Sequence, residues 1–216
     1  PGTASPQGTL LSVSAEASAH RVPDVATLST GVVTQAADAN AAMRTNAQQM
    51  DKVMAAIRAA GIAERDVQTS GINLNPQYKY VENAPPSIVG YQASNTVNVK
   101  VRDLSKLGKV LDAFVEQGAN QINGPSFEVD KPDEAYDEAR VAAIRKAQAR
   151  AQTYADALGL KVRRIISIGE GGASFPRPMP MMRAMAADAG FAKETAISPG
   201  ESTLSVNIEV VFELGR

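Results

Sequence analysis

Four methionines in one short stretch are the residues of this chain whose type and spacing best suit chemistry. Thioether sulfurs are soft ligands that select Cu(I), and they are also readily oxidised to sulfoxides. The same apolar side chains could pack onto another protein chain, or the stretch could be disordered. The sequence therefore leaves three interpretations: a Cu(I)- or oxidant-binding site, an apolar contact surface, or a disordered segment. The four residues are Met179, Met181, Met182 and Met185.

Groups that usually carry catalysis are scarce in this chain. It has no cysteine and one histidine, His20, which precedes a predicted turn. Without cysteine, disulfides, thiolate chemistry and Cys-ligated metals are excluded. A Ser-His-Asp triad would have to use His20, and no nucleophile stands beside a base at motif spacing. We therefore expect no catalytic residue, rank a hydrolase lowest, and interpret His20 as a surface residue.

Two other patterns are explained more simply by structure than by ligand binding. Five acidic residues between positions 130 and 138 lack the alternate spacing of a calcium loop, and they lie where a helix would begin. The glycines at 169–172 follow a predicted strand, but prolines after them forbid the helix that a dinucleotide loop requires. We predict no cofactor, and no metal apart from the Cu(I) alternative.

Composition sets bounds on the class of protein. The 216 residues, 44% of them apolar, suffice for a hydrophobic core. The formal net charge of −1 gives nucleic acid no electrostatic reason to bind. No apolar run approaches the roughly 20 residues that cross a bilayer, so we predict no transmembrane segment. Residues 1–9 are predicted to be a disordered tail, which is consistent with removal of a signal peptide.

Hydrophobic periodicity predicts the order of elements. A period of two from Tyr91 to Val101 indicates a strand with one buried face, and a helical spacing follows it up to Gly118. Over the whole chain the order is β-β-α-β, β-α-β, α-β, loop, β, and the first two strands are predicted to form an antiparallel hairpin. We predict an α+β fold: antiparallel sheets with three main helices packed on them, built from strand-helix-strand units at 25–80 and 90–130.

The first and last predicted helices have distinct apolar faces. Asp38 is the predicted N-cap of the first helix, and Asp130 that of the last. The stripe predicted to be buried on the first helix consists of Met43, Ala47, Met50, Met54 and Ile57. The last helix carries small residues along one side, namely Ala135, Ala139, Ala142, Ala143, Ala147 and Ala151.

One domain is predicted at 10–216, with sub-units at 10–80 and 88–170 and a final strand at 201–214. The methionine-rich loop at 171–199 shows no strand or helix period. Because about 30 residues without structure are unusual inside a compact domain, this loop is predicted to be functional or mobile.

Several segments together resemble one known family. The segments are DVQTSGI at 66–72 with Pro76 and Tyr78, GYQASN at 90–95 before VNV at 97–99, GANQI at 118–122, the alanine-rich helix before Leu158 and Gly159, and PGE at 199–201. In the order and spacing of these segments the chain is similar to the SIMPL-domain (DUF541) family, which includes YggE-like and periplasmic-immunogenic-protein-like bacterial members. The similarity covers the chain from Leu11 to Leu214.

The resemblance implies a periplasmic or secreted α+β protein that self-associates, has no known catalytic residues and is linked to oxidative-stress tolerance. We therefore predict a non-enzymatic cell-envelope protein that acts as a homo-oligomeric binding scaffold, with a further envelope protein as a candidate partner. The alternative is a Cu(I)- or oxidant-binding protein that uses the four methionines. The predicted oligomer contact lies at 174–191 and consists of Phe175, Met179, Met181, Met182, Met185 and Phe191.

Overall fold

A computed structural model describes residues 7–171, the backbone of 177–179, and residues 195–216. In this part of the chain three α-helices accompany two antiparallel sheets, which confirms the α+β class. The order of elements is also as predicted, except for a short strand at Arg177–Met179 inside the predicted loop. None of these helices is both long enough and apolar enough to cross a membrane. The elements are β1 (Thr9–Arg21), β2 (Val25–Ala36), α1 (Ala39–Ala59), β3 (Val67–Lys79), β4 (Ser87–Val101), α2 (Leu107–Glu116), β5 (Gln121–Glu128), α3 (Asp133–Leu158), β6 (Lys161–Glu170), β7 (Arg177–Met179) and β8 (Glu201–Gly215).

The chain divides into two compact units that follow the sheets. Unit one contains β1, then the chain from Val129 through α3, β6 and β7, and finally β8. Unit two contains the chain from Pro23 to Glu128, together with residues 195–199. This division differs from the sub-units expected at 10–80 and 88–170. Local periodicity cannot anticipate it, because unit one pairs strands from opposite ends of the sequence.

In unit one, β8 is the central strand of a sheet with the order β1-β8-β6, and β7 pairs with the start of β8. The predicted β1–β2 hairpin is wrong: β1 pairs with β8 along its whole length, whereas β2 pairs with β4 and β5. The inward residues of β1 are mostly small, such as Ala15, Ala17 and Ala19, and those of β8 are large, such as Phe212. The two strands therefore complement each other in volume across the core.

Helix α3 covers this sheet with alanines at every fourth position. A spacing of four follows a ridge inclined to the helix axis, and the small side chains let the helix backbone approach the strands closely. The predicted alanine side is confirmed except at Ala142, which is exposed. Asp130 is not the N-cap, because the helix begins at Asp133 and Pro132 occupies the cap position without a side-chain bond. The buried alanines are Ala135, Ala139, Ala143, Ala147, Ala151 and Ala155.

Unit two is a sheet with the order β3-β4-β2-β5, in which all neighbours are antiparallel. Its elements follow the order β-α-β-β-α-β, so this unit has the split β-α-β arrangement of ferredoxin-like folds. Both predicted strand-helix-strand units lie here, and their first strands, β2 and β4, pair at the centre. The core contains Leu28, Val32, Met50, Val53, Ile57, Val97, Val99, Leu107, Leu111 and Phe114.

The buried face of α1 differs from the predicted stripe. Asp38 caps the helix as expected, since its Oδ1 accepts a hydrogen bond from the Ala41 N–H at 2.8 Å. Met50 and Ile57 are buried, but Met43 and Ala47 are exposed. Asn46 is buried instead and donates to the carbonyl oxygens of both Val32 and Ala93. Because asparagine is polar, periodicity assigns it to the exposed face of the helix. The predicted buried positions in the first half of α1 are therefore one residue C-terminal to the observed ones.

All three helices end at a glycine with positive φ, as the sequence predicts. The φ values are 78° at Gly61, 96° at Gly118 and 68° at Gly159. In each case the next residue donates its N–H to the carbonyl five residues earlier, which is the Schellman arrangement. These bonds are Ile62 to Ile57, Ala119 to Phe114, and Leu160 to Ala155.

Candidate interaction surfaces

Unit two exposes a group of apolar side chains where β3 and β4 extend beyond the rest of their sheet. Strand β2 pairs with β4 no further than Tyr91, and from there β3 and β4 continue alone as a two-stranded ribbon. A bulge follows Gln77, since the next pair joins Tyr78 to Ile88. Apolar side chains concentrated at such a position mark a protein-interaction surface. We name them the ribbon patch: Tyr78, Tyr80, Val81, Ile88 and Val89, which are 48–76% exposed.

The same edge of the sheet continues into the middle of β3. Ile72 and Leu74 are exposed there. Pro76 lies between them and the ribbon patch, and it has no N–H to donate to an added strand. The edge therefore has apolar side chains, but its row of backbone N–H donors is interrupted at Pro76.

Unit one has a second exposed apolar edge on β6. Ile165, Ile166 and Ile168 are 38–56% exposed. The pairing of β6 with β8 is irregular after Val162 and again after Ile165. Bulges of this kind twist an edge strand away from simple strand addition. The β6 surface is thus a weaker candidate for docking than the ribbon patch.

The predicted contact residues fall in the segment that is described only in part. Met179 ends the short strand β7, where it pairs with Glu201 of β8, and its side chain lies outside the described residues. The other members of the predicted contact and of the methionine group also lie outside them. They are Phe175, Met181, Met182, Met185 and Phe191.

His20 lies at the end of β1 on the solvent side of the sheet. Its Nδ1 is 3.1 Å from the Thr203 hydroxyl and 3.3 Å from a Glu201 carboxylate oxygen. A catalytic triad needs the acid and the nucleophile on opposite ring nitrogens, whereas both of these partners face Nδ1. With 56% of its side chain exposed, His20 is a surface residue, as predicted.

Two of the acidic residues near the start of α3, Asp137 and Glu138, take part in ion pairs. Arg21 bonds to Glu138, and Arg140 bonds to Asp137 at 2.8 Å and to Glu170 at 3.1 Å. These two carboxylates raise the pKa of Arg140, through the Glu170 hydrogen bonds first. Over the described part of the chain, no three histidine, aspartate or glutamate side chains converge as a metal site.

A cationic cluster surrounds one nearly buried carboxylate in unit two. Arg102 donates two hydrogen bonds to Asp66, Nε to Oδ2 at 2.9 Å and Nη2 to Oδ1 at 3.0 Å. The Asp66 side chain is 7% exposed. These bonds, with smaller contributions from the charges of Arg65 and Lys100, hold the pKa of Asp66 below its usual value. The sequence shows no sign of this cluster, because its members come from two segments more than 30 residues apart, at 65–66 and 100–102.

A groove between α1 and α2 is the second feature that the sequence does not reveal. Its volume is about 480 Å³. The two helices are far apart in sequence, and alanines there suggest only good helix formation. The groove is lined by Ala56, Ala59, Ala60, Lys106, Lys109, Val110, Ala113 and Gln117.

The fold and its surfaces define the class: an α+β protein whose described residues present exposed apolar edges in place of a gathered catalytic group. A sequence model of the SIMPL family, described as a protein of unknown function (DUF541), matches residues 11–212. The chain therefore belongs to the SIMPL family, which confirms the resemblance.

Curated relatives cover nearly the whole chain. The 26 kDa periplasmic immunogenic protein of Brucella melitensis biotype 1 is 38% identical, over 94% of this chain and 84% of its own length. The uncharacterized protein YggE of Escherichia coli K12 is 32% identical, over 97% and 85%. YggE of Edwardsiella ictaluri is 31% identical, over 98% and 89%. These names state no enzymatic activity, and the Brucella name bears out the predicted periplasmic location.

Proposed function

We propose that this protein is a non-enzymatic scaffold of the periplasm that works by associating with further copies of itself. The observation that carries the proposal is the ribbon patch, where five apolar side chains are 48–76% exposed at the end of a two-stranded extension. Burying such side chains on a partner is favourable by about 25 cal/mol per Å² of apolar surface.

The composition of the ribbon patch supports a protein partner. Tyr78 and Tyr80 lie side by side, with their ring centres 6.4 Å apart. Tyrosine is enriched at the centres of protein interfaces, because it combines a large apolar area with a polar tip. A net charge of −1 produces little repulsion between copies. Two copies of the ribbon patch therefore suit one another.

The methionine-rich segment belongs to the same proposal as a second contact. Its apolar residues between 174 and 191, Phe175 and Phe191 among them, would be covered by a neighbouring copy. We connect this contact with oxidative-stress tolerance, because oxidation of methionine to the polar sulfoxide weakens an apolar interface.

The test is the molar mass in solution by size-exclusion chromatography with light scattering. We expect an oligomer at micromolar concentration, and a shift toward monomer in the double variant Tyr80→Ser, Val89→Ser. Val115→Ser is the matched control, because Val115 is also exposed but lies on α2. A strict monomer in the wild type contradicts self-association. A wild-type mass in the double variant contradicts the role of the ribbon patch.

Deletion of residues 174–191 tests the second contact separately. The expected result is a lower assembly state in a chain that keeps its melting temperature. An unchanged mass contradicts the placement of a contact in this segment and leaves the ribbon patch as the interface.

The alternative function is Cu(I) or oxidant binding by Met179, Met181, Met182 and Met185. Four thioethers within seven residues are its motivation. Titration with Cu(I) against a competing chelator distinguishes the two functions. Tight binding that is lost when all four are changed to leucine supports the alternative, and equal affinity of both proteins removes it.

A further inference from the structure

The groove between α1 and α2 has an apolar floor and a cationic rim. Ala56, Ala60 and Ala113 contribute small side chains, and Val110 closes the bottom with only 4% exposure. Because alanine side chains are small, the two helices leave a groove with a volume of about 480 Å³ between their exposed faces. Lys106 and Lys109 stand at the rim.

The opposite face of α2 is already occupied by the chain itself. Thr195 donates its hydroxyl to Asp112 at 2.8 Å. A Cβ at Gly108 would lie 2.5 Å from the Thr195 carbonyl oxygen, so glycine is required for this close approach. The groove therefore lies along a face of α2 that residues 195–199 do not cover.

A smaller cavity of about 300 Å³ adjoins the groove, and the two share Ala60, Lys106 and Val110 in their walls. Four of the residues that line this cavity are cationic and two are anionic. Both anions already have partners, since Asp66 binds Arg102 and Asp103 accepts from the backbone and hydroxyl of Ser105. The apolar groove thus adjoins a region that carries more cationic than anionic side chains. The four cations are Arg65, Lys100, Arg102 and Lys106.

We propose that this groove and cavity bind a medium-chain fatty acid, with the alkyl chain on the alanines and the carboxylate beside Lys106. Small-molecule sites are mostly apolar concavities of about 300–1,000 Å³ with a few convergent polar groups. The arrangement of charge selects an anionic head group over a neutral one. A folded protein partner fits poorly, because a stable interface needs about 800 Å² on each side and α2 is only ten residues long.

The position of Lys106 suits the role of head-group contact. Its side chain is 63% exposed, and its Nζ is 3.9 Å from Asp103, a distance at which an exposed ion pair contributes little. Lys106 also lines both the groove and the cavity. A carboxylate at this junction would gain a charge-assisted hydrogen bond while its tail stays among the alanines.

Isothermal titration of the full chain with sodium laurate tests the proposal. We expect saturable binding of one laurate per chain, and an affinity that rises about fourfold for each methylene added between octanoate and laurate. Dodecanol, which has the same tail and no charge, is expected to bind at least fivefold more weakly. Absence of saturable laurate binding, or equal affinity for dodecanol, overturns the proposal.

Two kinds of variant locate the ligand. The double variant Lys106→Gln, Lys109→Gln should weaken laurate binding about tenfold, whereas Lys79→Gln on β3 should leave it unchanged. Filling the groove with Ala113→Phe should weaken binding at least tenfold, and Val115→Phe, on another face of α2, is its matched control. Ala59→Phe repeats the test from α1 at an exposed position that folding tolerates.

Unchanged affinity in the lysine variant, or in both Ala113→Phe and Ala59→Phe, overturns the assignment to this groove. Binding of an acidic amphipathic peptide without binding of laurate would assign the groove to a protein partner and would also overturn it. Self-association is measured without any ligand, so the two proposals can fail separately.

Discussion

The side chain of Asn120 pairs with the backbone of Val33 through two hydrogen bonds. Its Oδ1 accepts from the Val33 N–H, and its Nδ2 donates to the Val33 carbonyl, both at 2.8 Å. The backbone N–H of Asn120 also donates to Gly31 at 3.1 Å. Asn120 therefore extends the pairing of β2 with β5 to the residue just before β5 begins. It fixes the chain just after Gly118 ends α2.

We predict that Asn120→Ala lowers the free energy of unfolding by about 1–2 kcal/mol, because two hydrogen bonds to the strand are lost at once. Urea denaturation measures the change. Asn75→Ala serves as the control, since Asn75 is an exposed asparagine on the edge strand β3, and it should stay within about 0.5 kcal/mol of wild type. Equal effects of the two substitutions would contradict the special role of Asn120.

Asn46 provides the second prediction. It is 4% exposed, and its Nδ2 donates to Val32 at 2.9 Å and to Ala93 at 3.0 Å. Asn46→Asp keeps the shape but sets a carboxylate against two carbonyl oxygens inside the core. We expect a loss of about 3 kcal/mol or more at pH 7, greater than the roughly 1–3 kcal/mol for Asn46→Ala. Thermal and urea unfolding measure both, and an aspartate variant as stable as the alanine variant contradicts this account.

The third prediction concerns Asp66 and acid. Because the folded protein lowers the pKa of Asp66, its ion pair with Arg102 stabilises the fold at pH values above the unfolded pKa of about 4. This contribution is lost as the pH falls through the lower, folded pKa. Asp66→Asn should thus cost about 1 kcal/mol at pH 7, a modest value because Arg102 is 41% exposed.

The measurement is urea denaturation of wild type and Asp66→Asn at pH 7, 5 and 2.5. The gap between the two proteins should be constant from pH 7 to 5 and should shrink at pH 2.5. A gap that grows in acid would contradict the direction of the pKa change.

The alanine ridge of α3 gives the fourth prediction. Ala147 is fully buried against the β1–β8 sheet, and a larger side chain would force the helix away from the strands. Ala147→Leu should destabilise the protein by about 1–3 kcal/mol through overpacking. The matched control is Ala142→Leu, five residues earlier at an exposed position of the same helix, which should be nearly neutral. If both substitutions have the same cost, the ridge is not closely packed.

Features encoded by neighbouring residues could be predicted from the sequence. Gly61, Gly118 and Gly159 each need a positive φ at a helix end, and a glycine after an apolar helical run indicates this directly. The alternation of Leu204 to Leu214 likewise predicts β8 and its buried face. These signals depend only on the chain within about ten residues.

Features created by contacts between distant segments could not be predicted. Pairing of β1 with β8 joins residues about 200 positions apart, and adjacency wrongly favours a β1–β2 hairpin. Asn46 is buried only because two strand carbonyls lie above it, which no periodicity can express. The groove residues Ala113 and Lys106 follow ordinary helix and loop patterns, and their shared surface exists only once α1 and α2 pack on one sheet.

The central place of β8 has a consequence for how the protein is made. The sheet strands of unit two are all available once Glu128 has left the ribosome. Strands β1 and β6 must wait until Glu201–Gly215 has been translated, because among the described strands each of them pairs with β8. Until β8 has been made, the alanine ridge of α3 has no complete sheet to pack against. A premature stop codon a few residues upstream of Glu201 would therefore leave unit one without its middle strand. The four sheet strands of unit two would still be translated.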